Sequence, residues 1–393
     1  MPYFSFSLKN KLKQDHFNFL NDNVANLKLS IQYYSKNTLL HKTLSKIEFK
    51  PFLNSLSYEK RLPIAKLKKT ILICLPPSIG LGDAIEYGLA IKSLHLSNIF
   101  EKIGIAYVGR YKELYENYFK LENIFADYIS SKDLVIYENI FHITLEIEEF
   151  KNQKYERTDI EKIICKYFGI SVLRQKNIIN KNKINKISIF PISKSPIRTM
   201  NISLLKGLIK NFENRYKIDL ILDKSSIISS HVDDMIDSVL IKKIYPLNLD
   251  ELLNIIKNVE YGIFMDSGPL HVAKILNIKG VLISTSVDAE ILLNDFTSIG
   301  EIRNYYKSDY CKSPCGLTNI FNFNNKSGCF DSLKLPKKEI IYQKNLNSLQ
   351  RGSLKQSYTY FIDNPVGCNK NISLKHVTNY IISKINENTK RFS

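Results

Sequence analysis

The chain has 393 residues and a formal net charge of +18, with 56 Lys and Arg against 38 Asp and Glu. Its hydrophobic content of 44% and its 12 prolines are typical of a globular chain with more than one domain, and they exclude a disordered one. No apolar run reaches the roughly 18 residues of a membrane span, and the N-terminus lacks the apolar core of a secretory signal. We therefore expect a cytoplasmic protein.

Half of the net charge lies in residues 1–69, which contain twelve Lys and one Arg against two Asp and two Glu. Weak helical spacing of apolar residues between 15 and 45 predicts a helical N-terminal extension. Coding bias, anionic substrates or an anionic membrane surface would each account for the charge, so peripheral binding at the inner face of the inner membrane stays open. Nucleic acid is not an expected partner, because aromatic-interleaved basic motifs and Cys/His fingers are missing.

A first series of alternating elements occupies residues 70–180. An apolar run from Thr70 to Leu75 predicts a buried strand, and helical spacing follows from Ala84 to about Leu96. A second run, Ile103 to Val108, completes a βαβ unit. Further strands are predicted at 133–137 and 141–147, and a further helix at 158–168.

A polar, basic stretch at residues 176–186 predicts a linker, after which the alternation resumes. Residues 300–370 are predicted to be irregular, and helical spacing returns from Ser373 to Ile385. Two βα series split by a linker predict an α/β fold with two Rossmann-like, doubly wound domains facing a central cleft. The second series has predicted strands at 187–191, 218–222, 261–265 and 281–284, and helices at 202–213, 249–257 and 270–276.

The most informative turn is Asp-Ser-Gly-Pro-Leu-His at residues 266–271, directly after a predicted buried strand. Ser267 is expected to cap the next helix and Pro269 to occupy its first turn. Gly268 has no Cβ, so a ligand can approach its backbone closely. Because a helix N-terminus carries a positive partial charge, the turn predicts a phosphate site. His271 is expected either to donate to the phosphate or to pack inside.

The turn at residues 78–83, Ser-Ile-Gly-Leu-Gly-Asp, partly matches the dinucleotide fingerprint G-x-G-x-x-G. Its third glycine position holds Ile85, and no acidic residue for a ribose hydroxyl follows the next strand. Asp83 would repel a diphosphate placed there. We interpret Asp83 either as a helix cap or as a general base that the glycine turn directs into the cleft. The other residues of this acceptor-side loop are Ser78, Gly80 and Gly82.

The loop after the strand at 187–191 adds a hydroxyl, Ser193, and two cations, Lys194 and Arg198. Every βα turn of a parallel sheet opens at the same edge, so this loop is expected beside the turn at 266–271. Two cations and a helix dipole suit a departing nucleoside diphosphate. A solvated basic loop is the alternative.

Three blocks of the sequence resemble motifs of the heptosyltransferase family of glycosyltransferases, glycosyltransferase family 9. Residues 266–276, with Gly280-Val-Leu-Ile-Ser-Thr285 after them, are similar to its D-[ST]-G-P-x-H-x-A signature. Residues 79–84, Ile-Gly-Leu-Gly-Asp-Ala, resemble its I-G-D turn with an extra Leu-Gly. Residues 367–377, Gly-Cys-Asn-Lys-Asn-Ile-Ser-Leu-Lys-His-Val, are similar to its closing C-x-x-x-I-S-x-x-x-V. Residues 1–69 have no match in the short lipopolysaccharide members.

The resemblance implies a GT-B fold. Residues 70–180 would form the acceptor domain and residues 187–345 the donor domain. Residues 370–393 would form a helix that crosses back onto the first domain. It also implies an inverting transfer that needs no metal, typically of heptose from ADP-heptose, to a cell-surface glycan such as the lipopolysaccharide core. The acceptor would be lipid-linked or a protein.

The family's proposed base carries over to Asp83, which would take the proton from an acceptor hydroxyl. The nucleoside diphosphate would leave toward the helix at 269 and the cations, of which Arg198 and Lys194 compete for the family's basic position. Asp266 would hold donor hydroxyls, because its charge repels phosphate. The predicted donor-binding residues are Ser193, Lys194, Arg198, Asp266, Ser267, Gly268, Pro269 and His271.

Of the six cysteines, Cys74 and Cys165 lie in apolar runs and are expected in the core. The spacing of the other four differs from the C-x2-C of most four-cysteine metal sites. A branch of the resembled family that glycosylates autotransporter proteins binds iron through cysteines, so a structural Fe or Zn site stays open beside packed free thiols. These four are Cys311, Cys315, Cys329 and Cys368.

Three other functions are alternatives to transfer to a surface glycan. A protein heptosyltransferase of the autotransporter type is favoured by the extension and the cysteines. A Rossmann NAD-dependent oxidoreductase is disfavoured by the broken glycine pattern. A non-catalytic binding module is disfavoured because Asp83 accompanies an intact donor turn.

Overall fold

A computed structural model describes the chain over twelve stretches of sequence, some of them only one or two residues long. The chain divides into two compact units, Met1–Gln175 and Lys176–Ser393. The predicted helical extension lies outside the described residues, apart from Lys69. The described residues are 69–75, 79–107, 111–126, 136–137, 139–142, 159–173, 184–237, 239, 241–308, 311–315, 329 and 354–390.

The first unit contains a parallel four-stranded sheet in the order β3-β2-β1-β4. Two helices pack against each other beside it, and a short π-helix at Leu114–Tyr118 precedes β3. The order places β1 centrally, with the glycine turn at its carboxyl end. The elements are β1 Thr70–Cys74, α1 Leu81–Ser97, β2 Lys102–Tyr107, β3 Ile124–Ala126, β4 Asn139–His142 and α2 Ile160–Tyr167.

Two predicted strands of this unit differ from the structure. Of the strand predicted at 133–137, Ile136 and Tyr137 form a turn and coil, and the rest lies outside the described residues. The strand predicted at 141–147 begins earlier, as β4, and its residues after His142 also lie outside them. β3 was missed because a three-residue strand is too short for its apolar alternation to be read.

The second unit contains a parallel six-stranded sheet in the order β10-β9-β8-β5-β6-β7. Counted along this unit, the order is 3-2-1-4-5-6, which is that of a doubly wound nucleotide-binding sheet. The predicted α/β class with parallel sheets is therefore confirmed. The strands are β5 Lys186–Phe190, β6 Lys217–Ile221, β7 Ile241–Ile244, β8 Tyr261–Phe264, β9 Gly280–Ile283 and β10 Ile299–Ile302.

The helices of the second unit cover this sheet. A short β-hairpin, β11 Lys307–Ser308 and β12 Cys311–Lys312, follows the sheet. The helices are α3 Ile202–Phe212, α4 Ile227–Met235, α5 Leu249–Lys257, α6 Gly268–Ile275, α7 Ala289–Leu293, α8 Leu354–Asp363, α9 Gly367–Lys370 and α10 Leu374–Lys390.

The core of the second unit forms between the central strands and the helices. Ile187 and Ile263 are fully buried in β5 and β8, and Val377 and Ile381 of the last helix join the same cluster. Each such side chain contributes roughly 1.5–3 kcal/mol when it is removed from water. The last helix is thus part of the core that fixes β5 and β8.

Residues 300–370 are not uniformly irregular, so that prediction is wrong. The strand β10 extends to Ile302, and α8 and α9 are helical. The Ser, Tyr and Thr residues in the middle of α8 have modest helix propensity, but Phe361 and Ile362 near its end are buried. Tertiary packing therefore outweighs local propensity here. Among the described residues, no helix combines the length and hydrophobicity that crossing a membrane requires.

Candidate functional site

The topological switch point of the six-stranded sheet lies between β5 and β8, where the order of strand addition reverses. Ligands of doubly wound sheets bind outside the carboxyl ends of the strands at this point. The loop at 191–201 leaves β5 there, and the turn at 265–268 leaves β8. The topology thereby places two predicted groups of site residues side by side.

Arg198 and Asp266 meet directly at this switch point. Arg198 Nη1 donates to Asp266 Oδ2 over 3.2 Å, and the two side chains are 19% and 4% exposed. Arg198 Nε is buried and has no acceptor among the described residues. A guanidinium has five N–H donors in a planar fork, so Arg198 keeps donors for an anion while Asp266 holds its orientation.

The loop that carries Arg198 is braced from within by Thr199. The fully buried Thr199 hydroxyl accepts from the Ser193 N–H at 3.1 Å and lies 2.9 Å from the Ser195 carbonyl, to which it donates. Pro196–Arg198 forms a 3-10 turn, in which the Arg198 N–H donates to the Ser195 carbonyl. The backbone around Arg198 is therefore fixed.

The other two predicted residues of this loop take different positions. Ser193 is buried, and its backbone belongs to the bracing around Thr199. Lys194 is exposed and makes no ion pair with any residue that the structure describes. Of the two competing cations, Arg198 is thus the one that contacts the Asp266 turn.

The turn after β8 differs from the prediction at Ser267. Ser267 is the N-cap residue of α6 by position, but its hydroxyl donates to the Met265 carbonyl at 3.3 Å and does not cap the helix. The expectation that its side chain caps α6 is therefore wrong. Gly268 and Pro269 occupy the first turn, as predicted. Pro269 has no N–H, and the Leu270 N–H donates to the Ser267 carbonyl at 3.1 Å. The helix end thus offers fewer donors than expected, which increases the importance of Arg198.

His271 is buried on the inner side of α6. Its Nδ1 lies 3.4 Å from Nζ of Lys274, a fully buried residue whose ammonium also donates to the Leu292 carbonyl. The His271 ring therefore packs inside the unit against Lys274, which is one of the two positions predicted for it. Lys274 was not predicted as a site residue, because a lysine at this position of a short helix is usually solvated.

Three buried hydroxyls at the same sheet edge were missed by sequence analysis. Ser195 lies in the loop after β5, and Thr285 and Ser286 follow β9. Each is about 1% exposed, and their hydroxyl oxygens have no hydrogen-bond partner among the described residues. The Ser-Thr-Ser run directly after the apolar β9 was the available signal. Buried hydroxyls of this kind suit a polar ligand, since a buried polar group without a partner is costly.

Asp83 lies in the first turn of α1 in the other unit and is exposed. Its Oδ2 accepts from the Gly80 N–H at 3.3 Å, so the helix-cap interpretation holds for one carboxylate oxygen. The buried Tyr115 hydroxyl donates to the Ala84 carbonyl at 3.1 Å and fixes this turn. Gly82 is half-buried within it, and Ser78 lies outside the described residues.

The cysteines of the last quarter lie within the second unit. Cys329 and Cys368 are buried and Cys315 is half-buried, all three as free thiols, whereas the side chain of Cys311 lies outside the described residues. The pKa of Cys368 is raised to about 12, mainly by burial and to a smaller extent by the neighbouring Cys329 and Cys315, although hydrogen bonds from Ser313 and from its own backbone lower it. The three described thiols do not form a group whose sulfur atoms all lie within 4.8 Å of one another, so their positions do not by themselves indicate a metal site.

A second group with metal-ligand chemistry lies in the first unit and was not predicted. Glu86, Asp159 and Glu161 are buried, and one carboxylate oxygen of each lies within 4.8 Å of the others. Asp159 also caps α2 by accepting from the Lys162 N–H at 2.8 Å. Carboxylates packed so closely are stabilised by shared protons, by a bound cation or by cationic side chains. Cys74 and Cys165 are buried in this unit, as expected.

The described part of the chain also contains a cavity of about 570 Å³ away from these residues. It lies at the amino-terminal ends of β8, β9 and β10, where Tyr261, Gly280 and Ser298 line it together with Tyr380 of α10. None of the predicted site residues lines it. The candidate site at the switch point is therefore indicated by hydrogen bonds and strand order, because the cavity lies at the opposite end of the strands.

Comparisons with known proteins find similarity to solved structures. No protein-family model matches the chain, and no curated protein matches it in sequence. The chain is similar to E. coli heptosyltransferase WaaC with ADP, at 9% identity and a TM-score of 0.41, over 60% of this chain and 93% of that one. It is similar to the iron-containing dodecameric glycosyltransferase TibC from enterotoxigenic E. coli, at 13% identity and 0.46, over 75% and 77%. It is also similar to a glycosyl transferase family 9 protein from Veillonella parvula, at 11% identity and 0.45, over 82% and 99%. These are heptosyltransferases and relatives of the family that the three sequence motifs resemble.

Proposed function

We propose that the chain is an inverting glycosyltransferase that moves a sugar, heptose from ADP-heptose, to a cell-surface glycan such as the lipopolysaccharide core. The observation that carries the proposal is the contact between Arg198 and Asp266 at the switch point of the six-stranded sheet. The motif resemblance supports the choice of sugar and acceptor. A GT-B fold is part of the proposal.

The proposed donor site uses the cation and the carboxylate for different parts of the donor. Arg198 retains N–H groups, including the buried Nε, that would bind the diphosphate and stabilise the charge that develops as it leaves. Asp266 would accept hydrogen bonds from donor hydroxyls, since its charge repels phosphate. Ser195, Thr285 and Ser286 offer further hydroxyls at the same edge.

The proposed proton acceptor is Asp83. Its Oδ2 is held by the Gly80 N–H, and the side chain is exposed, so Oδ1 can reach a substrate. Asp83 would take the proton from the acceptor hydroxyl while that oxygen attacks the anomeric carbon and the nucleoside diphosphate departs. Metal chemistry is not part of this step in the proposal.

A structural metal at the cysteine group is a separate proposal. Cys315, Cys329 and Cys368 would hold Fe or Zn as thiolates, and Cys311 would be the fourth ligand. The resemblance of the chain to a family branch that binds iron through cysteines supports this assignment, and a bound cation would favour the deprotonated thiols that burial otherwise disfavours. The group would stabilise the second unit and supply no step of the transfer.

A cytoplasmic location with peripheral contact at the inner membrane completes the proposal. It is supported by the charge of residues 1–69, because polybasic segments bind anionic lipid surfaces. Cosedimentation with vesicles that contain anionic lipid, against vesicles of neutral lipid, tests it. Binding to both alike would contradict an electrostatic contact.

Thermal unfolding of the chain with ADP, GDP, UDP and NAD tests the nucleotide class. Ligand binding to the folded state raises the midpoint temperature of unfolding. At a free ligand concentration of about a hundred times Kd, binding stabilises the folded state by about 2.7 kcal/mol. We expect ADP to stabilise the chain and NAD to leave it unchanged. Stabilisation by NAD alone would overturn the proposal in favour of an oxidoreductase.

A further inference from the structure

The side-chain amide of Asn369 lies in the interior of the second unit, where both its nitrogen and its oxygen are hydrogen-bonded. Asn369 is 1% exposed, and its Nδ2 donates to the Pro196 carbonyl at 2.9 Å and to the Thr199 carbonyl at 2.7 Å. Its Oδ1 accepts from Asn201 Nδ2 at 3.2 Å. One side chain therefore ties α9 to two points of a loop about 170 residues earlier in the chain.

The two carbonyls that Asn369 holds lie on either side of Arg198. Pro196 begins the 3-10 turn that ends at Arg198, and Thr199 follows it. A turn pinned on both sides of one residue leaves that residue's backbone little freedom. Asn369 therefore restricts the direction in which the Arg198 side chain leaves the loop.

Asn201 extends the same connection to α3. Its Oδ1 caps the helix by accepting from the Leu204 N–H at 2.8 Å, and its Nδ2 donates to both oxygens of Asn369, the carbonyl at 3.1 Å and Oδ1 at 3.2 Å. An amide that donates in one direction and accepts in the other cannot be replaced by a carboxylate without loss. The network thus distinguishes Asn from Asp at position 369.

Apolar packing also joins the C-terminal segment to the turn that carries Arg198. Ile197, inside the 3-10 turn, is 2% exposed and packs in a small cluster with residues of the C-terminal segment. The other members of the cluster are Cys329, Phe361, Val366 and Cys368. The segment that contains α9 is therefore built onto the Arg198 turn through both hydrogen bonds and apolar contacts.

We propose that Asn369 is a positioning residue for the donor site, which acts by holding the Arg198 turn in the geometry that meets Asp266. The proposal rests on the proposed function for its ligand, an ADP-containing donor, and on the Arg198–Asp266 contact for its geometry. Asn369 itself does not touch the donor. It determines the position of the guanidinium that does.

Double-mutant cycles for ADP binding, measured by calorimetry, test how Asn369 acts. Asn369→Asp keeps the shape and the bond from Asn201 but places an oxygen against two carbonyls, so we expect the Kd for ADP to rise about tenfold, or about 1.4 kcal/mol. Arg198→Ala is expected to raise it at least as much. If Asn369 acts through Arg198, the double variant binds ADP no more weakly than Arg198→Ala alone. A further tenfold loss in the double variant would overturn the proposal.

Asn371→Asp is the matched control. Asn371 makes the same type of bond two residues away, from Nδ2 to the Tyr305 carbonyl at 2.9 Å, but it is exposed. We expect ADP affinity to change less than about twofold in this variant. An equal loss at both positions would assign the effect to added negative charge and contradict positioning.

A measurement without ligand separates this inference from the proposed function. The coupling between Arg198 and Asp266 is obtained from urea unfolding of Arg198→Ala, Asp266→Asn and the double variant, first with Asn369 present and then with Asn369→Asp. We expect the coupling to disappear in the second series. Asn369→Ala, which places no carboxylate against the carbonyls, replaces Asn369→Asp if the latter fails to fold. Persistent coupling would sink the inference, whereas failure of native protein to bind ADP would sink only the proposed function.

Discussion

Arg198 Nη1 lies 3.2 Å from Asp266 Oδ2, which joins the loop after β5 to the turn after β8 across 68 positions of sequence. β5 and β8 are adjacent strands of the sheet, and their carboxyl ends form its switch point. Asp266 orients the guanidinium before a ligand arrives. Such preorganisation reduces the entropy that binding would otherwise cost.

Arg198→Ala is expected to lower both stability and nucleotide affinity. Removing the cation leaves the Asp266 carboxylate, 4% exposed, without its charge partner, so the free energy of unfolding should fall by roughly 3 kcal/mol. Urea unfolding monitored by circular dichroism measures the change. The exposed Arg215 is the matched control, and Arg215→Ala should change stability by less than about 0.5 kcal/mol. Equal effects of the two substitutions would refute a structural role for the pair.

A second ion pair predicts how stability depends on pH. Burial alone would raise the pKa of Asp233, but hydrogen bonds from Lys243 and Tyr245 outweigh it and lower the pKa below its usual value of 3.8. Lys243 Nζ and the Tyr245 hydroxyl each lie 2.6 Å from a carboxylate oxygen of Asp233. A folded-state pKa below the unfolded one stabilises the fold above the unfolded pKa, and this stability is lost as the pH falls through the folded value.

Asp233→Asn should therefore cost about 1 kcal/mol at neutral pH, and the difference from native protein should shrink as the pH falls below the usual aspartate pKa. Urea unfolding of both proteins across this pH range measures it. The Tyr245 hydroxyl makes stability depend on pH in the alkaline range as well, because burial and the bond to Asp233 raise the pKa of Tyr245 to about 12. Its contribution is fully present below the ordinary tyrosine pKa of 10.0 and is lost as the pH rises through the folded-state pKa of about 12. A pH-independent cost of Asp233→Asn would contradict the assignment.

The cysteine group predicts slow thiol chemistry and metal content. Burial raises the pKa of Cys368 to about 12, so few molecules carry this thiolate at neutral pH unless a cation is bound. Alkylation by iodoacetamide should be much slower in the folded chain than in urea. Metal analysis of the purified chain should find about one equivalent of Fe or Zn, and Cys368→Ser should lower it. Less than about a tenth of an equivalent would end the metal proposal.

Much of the second unit's sheet follows from sequence because its strands are short apolar runs with clear ends. The runs at β5, β6, β8 and β9 were each predicted to within one residue at either end. α4 and β7 were not predicted. α4 is capped by Ser226 and contains Ser and Asp, and β7 has two lysines between isoleucines, so their apolar periodicity is weak.

The composition of the site was more predictable than its contacts. Asp266 and Arg198 were singled out because both follow buried strands, and the family resemblance favoured Arg198, but Lys194 remained a competing candidate. Only the direction of the loop shows that Arg198 is the contact. The role of Ser267 was predicted incorrectly because its hydroxyl has a local alternative, the Met265 carbonyl, that competes with the helix N–H groups.

The contacts of Asn369 could not be predicted from the sequence for a different reason. It lies within the block that resembles the family's closing motif, yet its partners are Pro196 and Thr199, which are far away in sequence. A bond between a side-chain amide and a distant backbone carbonyl leaves no periodic trace in the sequence. Such connections become visible only when the fold has placed α9 against the Arg198 turn.

Asp83→Asn tests the central claim most directly, because this substitution is nearly isosteric and spares the helix start. The amide oxygen can still accept from the Gly80 N–H, so α1 should keep its stability to within about 0.5 kcal/mol. The measurement is release of ADP from ADP-heptose with an acceptor glycan, alongside ADP affinity by calorimetry. The account predicts that native protein transfers the sugar, and that the variant loses transfer by at least about a hundredfold while it binds ADP as before. Full transfer by the variant would contradict the assignment of Asp83 as the base.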